Sequence, residues 1–173
     1  MAWRDDFTEK ERKEAYDEVY DLAIYLLETY KGTGKTFMFG HWEGDWYHHL
    51  GYKRDIDPKP EHIKNMIAWL NIRQKAVDDA KKKVKAKNVF LYHYTEVNLA
   101  LKALKGKKCR VNSVLPYTTL DYVSYSCYDS TIRHKDKLDE ILPKVLNHIE
   151  SKMKPKPGIK GKGSLSASTA IPF

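Results

Sequence analysis

The chain has 173 residues, of which 42% are hydrophobic and 12% aromatic, and this is the composition of one globular domain with a real core. The 31 lysine and arginine residues outnumber the 23 acidic ones, which gives a formal charge of +8. No apolar run has the length of a membrane span and the N-terminus lacks the pattern of a signal peptide, so a soluble chain that does not enter a membrane is expected.

The positive charge raises the question of nucleic-acid binding, because Lys and Arg neutralise phosphates. The lysines crowd into residues 81–87, 105–108 and 152–162, which are predicted helix ends, turns and the tail, while the aromatic stretches carry few. That distribution is typical of a solvated surface and argues against nucleic acid as the partner.

The first predicted element is an amphipathic helix. Thr8 and Glu11 have the spacing of a capping box, and apolar residues follow at intervals of three and four as far as Tyr30. Residues 31–36 look like the end of a phosphate-binding loop, but the earlier glycine is missing and the helix precedes the strand. No nucleotide cofactor is therefore expected.

Residues 37–40 are predicted to form a short buried strand that runs directly into a cluster of functional side chains. The cluster has Trp42, Glu43, Asp45 and Trp46 within six positions, after a histidine. A Glu beside an apolar face has its neutral form favoured and can donate a proton, and Trp faces stack on sugar rings. The alternative is a strand that ends at a solvated turn, with the tryptophans filling the core.

Residues 47–60 are predicted to be a loop without a metal site. Its adjacent His48 and His49 would point apart, and no His-Glu-x-x-His spacing exists to recruit zinc. The two cysteines, Cys109 and Cys127, define neither a metal site nor a disulfide framework, and they could pair only if their segments lie side by side.

A second long helix is predicted from Pro60, because proline suits the first turn of a helix. Residues 88–96 are a second predicted strand with His93 near its polar exit, and residues 97–104 a short helix. Strands buried on both faces and separated by long amphipathic helices predict a parallel α/β arrangement.

The last elements are less regular. Residues 109–115 are predicted to be a short strand or extended segment, and residues 121–129, which contain Tyr125, a third strand. Residues 135–153 are predicted to be a helix in which Pro143 causes a late start or a kink.

Each predicted strand ends in polar side chains, as strands do in (β/α) barrels, whose catalytic residues lie at the carboxyl ends of the strands. A whole eight-stranded barrel needs about 250 residues, which excludes a complete one here. Residues 1–153 are predicted to be the folded α/β domain, and residues 154–173, rich in Lys, Pro, Gly and Ser, a tail or linker.

Five stretches together resemble a group of glycoside-hydrolase-like proteins, which look like retaining (β/α)8 barrels of the cellulase and β-glycosidase superfamily. The stretches are residues 41–46, 69–80, 92–99, 112–116 and 122–126. The resemblance implies that residues 1–153 form a partial TIM-type barrel, from the helix before the fourth strand to the helix after the sixth. It implies O-glycosyl hydrolysis by acid/base catalysis in the complete barrel, with an oligosaccharide or polysaccharide as the partner.

In that superfamily the general acid/base is a Glu at the end of the fourth strand, and the matching position here is Glu43. The superfamily commonly has Asn directly before this Glu, where the present chain has Trp42. On this hypothesis Asp45 tunes or orients the acid. The side chains expected to line the sugar cleft are those of Trp42, Trp46, His93 and Tyr125.

Retaining hydrolysis needs two carboxyl groups about 5 to 5.5 Å apart. The family's nucleophile is a Glu on the seventh strand, and no such strand precedes the tail here. Glu96 is more naturally a rim group or a helix cap, and Asp45 lies only two residues from Glu43. The isolated chain is therefore expected to be inactive.

Two other hypotheses stay open. The first is a non-catalytic carbohydrate-binding or structural module that uses the same aromatic cleft, and the second is a basic nucleic-acid-binding domain. In either case a partial barrel would expose sheet edges, which predicts self-association through them.

Overall fold

The computed structural model describes residues 6–48, 53–132 and 134–159, which form an α/β fold with a parallel sheet. The strands are β1 (Thr36–His41), β2 (Phe90–Val97) and β3 (Tyr122–Tyr125). The helices are α1 (Glu9–Thr29), α2 (Gly44–His48), α3 (Pro60–Val84), α4 (Ala100–Leu104), α5 (Arg110–Ser113), α6 (Tyr128–Thr131) and α7 (Leu138–Lys152).

The sheet has the order β1-β2-β3, and both neighbouring pairs are parallel. Phe39 is opposite His93 in the register of β1 and β2, and Glu96 is opposite Ser124 in that of β2 and β3. The parallel α/β prediction is confirmed. Because the strands are parallel, their carboxyl termini all lie at the same end of the sheet, which we call its carboxyl end.

Helices α1 and α3 pack on each other and on one face of the sheet. The core there comes from Val19, Ala23, Leu27, Ala76, Val77, Ala80, Val89 and Leu91, with Phe37 and Phe39 partly buried against it. A second cluster joins Met66 and Leu70 of α3 to Val97, Val123 and Tyr125 of the sheet and to Val145 and Ile149 of α7. Burying this apolar area is the main driving force for folding.

The opposite face of the sheet is open, and we call it the open face. Its residues that reach solvent are Thr36, Met38, Gly40, Phe90, Tyr92, Tyr94 and Tyr122, whereas Glu96 and Ser124 are buried at its carboxyl end. Phe90 is 44% exposed and Met38 37%, while the Tyr92 and Tyr122 rings meet edge to face at 5.1 Å. Gly40 is required here, because a Cβ at that position would lie 2.1 Å from the Tyr94 ring.

The long helices begin as predicted. The Thr8 hydroxyl accepts a hydrogen bond from the Glu11 N–H at 3.3 Å, and the Glu11 carboxylate accepts one from the Thr8 N–H at 2.9 Å. This is the predicted capping box, and it satisfies donors that a helix start leaves unpaired. Pro60 is the first residue of α3.

Within residues 109–115, Arg110–Ser113 form α5 and a 3-10 helix begins at Leu115, so the predicted strand or extended segment is wrong. Val111, Val114 and Leu115 are buried at the i, i+3, i+4 spacing of a helix. In so short a segment the sequence pattern does not distinguish this spacing from the alternation of a strand. The predicted loop 47–60 is also partly wrong, because His48 ends α2, while His49 lies outside the described residues.

The third strand is shorter than predicted, because the chain turns into α6 at Tyr128. The last helix starts at Leu138, after a 3-10 turn at Lys135–Lys137, three residues later than predicted, and it contains Pro143 as its sixth residue. Cys109 and Cys127 are both buried free thiols, and burial raises the pKa of Cys109 to about 12.

Residues 154–159 of the predicted tail are attached to the domain, and residues 160–173 lie outside the described residues. The Lys156 ammonium is 2.6 Å from the Asp121 carboxylate and 3.0 Å from both oxygens of Asp78. Burial raises the pKa of Asp121, but Lys81, Lys156 and the N–H of His93 outweigh it, so that the pKa is lowered.

In the described part of the chain, no helix has the length and apolar character to cross a membrane.

Candidate functional site

The site lies where β1 ends, in the two residues between that strand and α2. Trp42 is 66% exposed, and the half-buried Glu43 follows it with a backbone φ of 48°. A side chain other than glycine rarely adopts this left-handed conformation, which costs about 1 to 3 kcal/mol. Such strain persists only where neighbouring contacts hold it, and it clusters at functional sites.

Glu96 at the end of β2 holds the Glu43 backbone. Its Oε1 accepts hydrogen bonds from the Glu43 N–H and from the Asn98 side chain, both at 3.1 Å. Burial raises the pKa of Glu96 and outweighs the hydrogen bonds from these two N–H groups, which lower it. The nearby Glu43 carboxylate raises it further. Glu43 and Glu96 are therefore two neighbouring carboxyl groups in different environments.

The fully buried Arg110 supports the site through contacts with β1 and β2. Its Nη1 contacts His41 Nδ1 at 2.9 Å, the Thr95 hydroxyl, and the backbone carbonyl of Glu96 at 3.3 Å. Burial lowers the pKa of Arg110 to about 10, so it keeps its positive charge at neutral pH. Burial, together with that charge, lowers the pKa of His41 to about 2, which leaves its ring neutral and able to accept.

Gly44 leaves room for the guanidinium. A Cβ at position 44 would lie 1.5 Å from Arg110 Nη1 and 1.9 Å from Cζ. The glycine between Glu43 and Asp45 is therefore fixed by packing, and the Arg110 side chain passes directly against the backbone at the start of α2.

Gly44→Ala is expected to lower the free energy of unfolding by about 1 to 3 kcal/mol, because the buried guanidinium has to move. Chemical denaturation measures this loss. In an Arg110→Met background the same substitution should cost clearly less, because the clashing group is gone. Equal costs in the two backgrounds would show that the close approach is not the cause.

Asp45 is completely buried and joins three elements. Its Oδ2 accepts the N–H groups of Asn98 (2.8 Å) and Leu99 (3.2 Å), and its Oδ1 accepts that of Arg110 (2.7 Å). The carboxylate orients the segment after Glu43 through the backbone, and its burial leaves it no contact with a bound ligand.

The other predicted lining residues lie apart from Glu43. His93 and Tyr125 are 0% and 1% exposed on the helix-covered face, so neither ring reaches solvent. Tyr125 Oη contacts the Asp129 carboxylate and lies 2.9 Å from Ser130 Oγ. The predicted cleft therefore does not include these two rings in this conformation. The reason is the alternation of side chains along a strand, which turns residues 93 and 125 away from the open face.

Trp46 is half-buried. Its indole packs against the larger core cluster, and the Arg54 guanidinium lies 5.2 Å from the ring centroid. The exposed aromatic side chain beside Glu43 is therefore that of Trp42, whereas the Trp46 side chain on α2 packs against the core.

A polar cavity of about 470 Å³ lies elsewhere. It is lined by the loop before α3, by α4 and by Asp129 and His134, and neither Trp42 nor Glu43 belongs to its lining. Lys102 in its wall is 3.4 Å from the Asp57 carboxylate and donates to the Arg54 carbonyl at 2.9 Å. Most of its described lining residues are charged, and none of them is Trp, Tyr or Phe.

No group of three or more His, Cys, Asp or Glu side chains that could hold a metal ion occurs among residues 6–48, 53–132 and 134–159. Comparison of the chain with protein-family models, with curated proteins and with solved structures found no match.

Proposed function

We propose that the carboxyl end of this sheet is a carbohydrate site in a partial (β/α) barrel, with Glu43 as its acid/base residue. The observation that carries the proposal is the strained Glu43 backbone, which buried Glu96 holds beside the exposed indole of Trp42. Parallel strands, helices on one face and polar groups at the carboxyl ends of the strands support the partial barrel.

The chemistry of the pair suits a sugar. An exposed indole offers an apolar face on which a pyranose ring can stack, and a carboxyl group beside it can hydrogen-bond a hydroxyl or donate to a glycosidic oxygen. Glu96 is 7% exposed and holds the backbone of Glu43, so it acts as a positioning residue rather than a nucleophile.

The same geometry supports binding without turnover in the isolated chain. Retaining hydrolysis needs a second carboxylate about 5 to 5.5 Å from the first that can attack the anomeric carbon. Glu96 and Asp45 are both buried and hydrogen-bonded to backbone N–H groups, which leaves Glu43 as the accessible carboxyl group of this site. The non-catalytic carbohydrate-binding module is therefore the second candidate function.

Trp42→Ala is expected to weaken binding of an oligosaccharide by about tenfold or more, because the stacking surface is lost. A panel of β-linked and α-linked oligosaccharides, followed by calorimetry and by tryptophan fluorescence, measures this. Tyr25→Ala is the matched control, because Tyr25 is similarly exposed, at 60%, but lies on α1.

Glu43→Gln tests whether the Glu43 carboxylate contacts the sugar. Loss of binding assigns Glu43 to the sugar contact, and retained binding favours a module that relies on Trp42 alone. Hydrolysis of aryl glycosides by the unmodified chain, abolished by Glu43→Gln, would contradict the proposed lack of turnover. Equal affinity of Trp42→Ala and the unmodified chain would overturn the site itself.

A further inference from the structure

The open face is the largest unexplained feature of the fold. Parallel sheets are normally covered on both faces, and here the helices of the described residues pack on one. Phe90 and Met38 are among the exposed large apolar side chains, and Tyr92, Tyr94 and Tyr122 are half-exposed between them. Contiguous exposed apolar surface of this kind marks an interaction site.

Both sheet edges are also unpaired within the described residues. The sheet ends at β1 on one side and at β3 on the other, so each outer strand presents backbone N–H and C=O groups without a ladder partner. The two edges and the open face together form one continuous surface.

The charge on this surface selects its occupant. None of the open-face residues that reach solvent is charged, although the chain has 31 lysines and arginines. Glu96, buried at the carboxyl end of this face, is hydrogen-bonded to the Glu43 N–H and the Asn98 side chain. Lys81, whose ammonium lies 5.1 Å from the Tyr92 ring, is 3.5 Å from the Asp121 carboxylate, which compensates its charge. An acidic protein or a nucleic acid would find no counter-charge here, whereas a second neutral aromatic sheet face is complementary.

The topology supplies the geometry of such a pairing. A two-fold rotation about an axis along the strands keeps every strand parallel and sets β3 of each copy beside β1 of the other. Rotational symmetry of this kind closes, leaves no free edge and turns both open faces inward. A second copy of the chain therefore satisfies the edges and the open face with one operation.

We infer that the open face and the edges of β1 and β3 form the interface with a second copy of this chain, in a closed six-stranded parallel assembly. The inference extends the expected self-association through sheet edges to the face between them. It does not depend on the sugar site, because association is measured without any sugar.

Sedimentation equilibrium of the full chain, at concentrations up to roughly 100 µM, tests this. The expected mass is about twice 20.2 kDa. Met38→Lys and Phe90→Lys should each weaken association by at least about tenfold, because they place a charge in the apolar interface. Leu22→Lys on α1 is the matched control, at a position that is 48% exposed, and it should leave association unchanged.

Hydrogen exchange of the unmodified chain gives a second readout that needs no variant. Amides of β1 and β3 should exchange more slowly at high than at low concentration. A monomer across the whole range overturns the inference, as does a dimer that Leu22→Lys weakens and Phe90→Lys does not. Species that keep growing with concentration would show open edge-to-edge pairing and overturn the closed assembly.

Discussion

Lowering the pH from 7 to 4.5 is expected to reduce the free energy of unfolding by about 5 kcal/mol through two buried histidines. His41 is 6% exposed and His93 0%. Burial lowers their pKa values to about 2 and about 3, and the charges of Arg110 and Arg73 respectively lower them further. Both rings therefore stay uncharged in the folded chain at pH 4.5.

The sign follows from the unfolded chain, where a histidine takes up a proton below about pH 6.5. The folded state does not take up these protons, so the contribution of both rings is complete above pH 6.5. It falls by about 1.4 kcal/mol per pH unit and per histidine as the pH drops towards the folded values. Burial raises the pKa of Glu96 and Asp129, and these carboxyl groups act in the opposite direction.

A comparison of variants isolates the histidine contribution. Neither ring nitrogen of His93 has a hydrogen-bond partner among the described residues, so His93→Leu removes the titration without breaking a hydrogen bond. Urea unfolding should show a stability loss between pH 7 and 4.5 that is smaller by about 2.5 kcal/mol. Leu91→Ala, at a buried apolar position on the same face of β2, should leave this pH-dependent loss unchanged. An unchanged loss in His93→Leu would rule out His93 as the source.

Periodicity was sufficient to predict the long elements. The spacing of apolar residues in α1 and α3 and the uninterrupted apolar runs of β1 and β2 each favour one structure, and they determine the parallel α/β arrangement. The faces of the strands were not predictable in the same way. Residues 89–94 are apolar or aromatic at nearly every position, so the run does not show that His93 faces the helices and Tyr94 the open face.

The residues that support the site, Arg110 and Glu96, were not predictable for a different reason. Arg110 follows lysines at 105, 107 and 108, and in the sequence it looks like part of a solvated basic turn. Its burial depends on acceptors from β1 and β2, which are distant in the sequence. The sequence alone predicts a rim group or a helix cap for Glu96, because its contact with the Glu43 N–H arises only when β1 and β2 pair in register.

These contacts show that part of the polar cluster after β1 has a structural role. Gly44 is fixed by the guanidinium of Arg110, and Asp45 is fixed by three backbone N–H groups. Two of its residues thus shape the turn, whereas Trp42 is exposed and Glu43 half-buried, and these are the two for which a ligand contact is proposed. A dense polar motif at the end of a strand therefore contains both the chemistry and the framework that holds it.

Asp45→Ala is expected to lower the free energy of unfolding by about 3 to 5 kcal/mol. The substitution leaves the N–H groups of Asn98, Leu99 and Arg110 without acceptors in a buried site, at about 1 kcal/mol or more each. It also removes a negative charge near the buried Arg110 guanidinium. Asp45→Asn keeps one acceptor oxygen and should lose less. Chemical denaturation at pH 7 measures all three proteins.

Asp17→Ala is the matched control, because the Asp17 side chain is 45% exposed and pairs only with Lys13 on the surface of α1 among the described contacts. Its loss should stay within about 0.5 kcal/mol. If Asp45→Ala instead keeps nearly full stability but no longer binds a sugar that Asp17→Ala binds, the carboxylate acts on the ligand, and the framework role assigned here is wrong. Loss of stability in Asp45→Ala, with binding retained in the folded fraction, is the result that the three N–H contacts require.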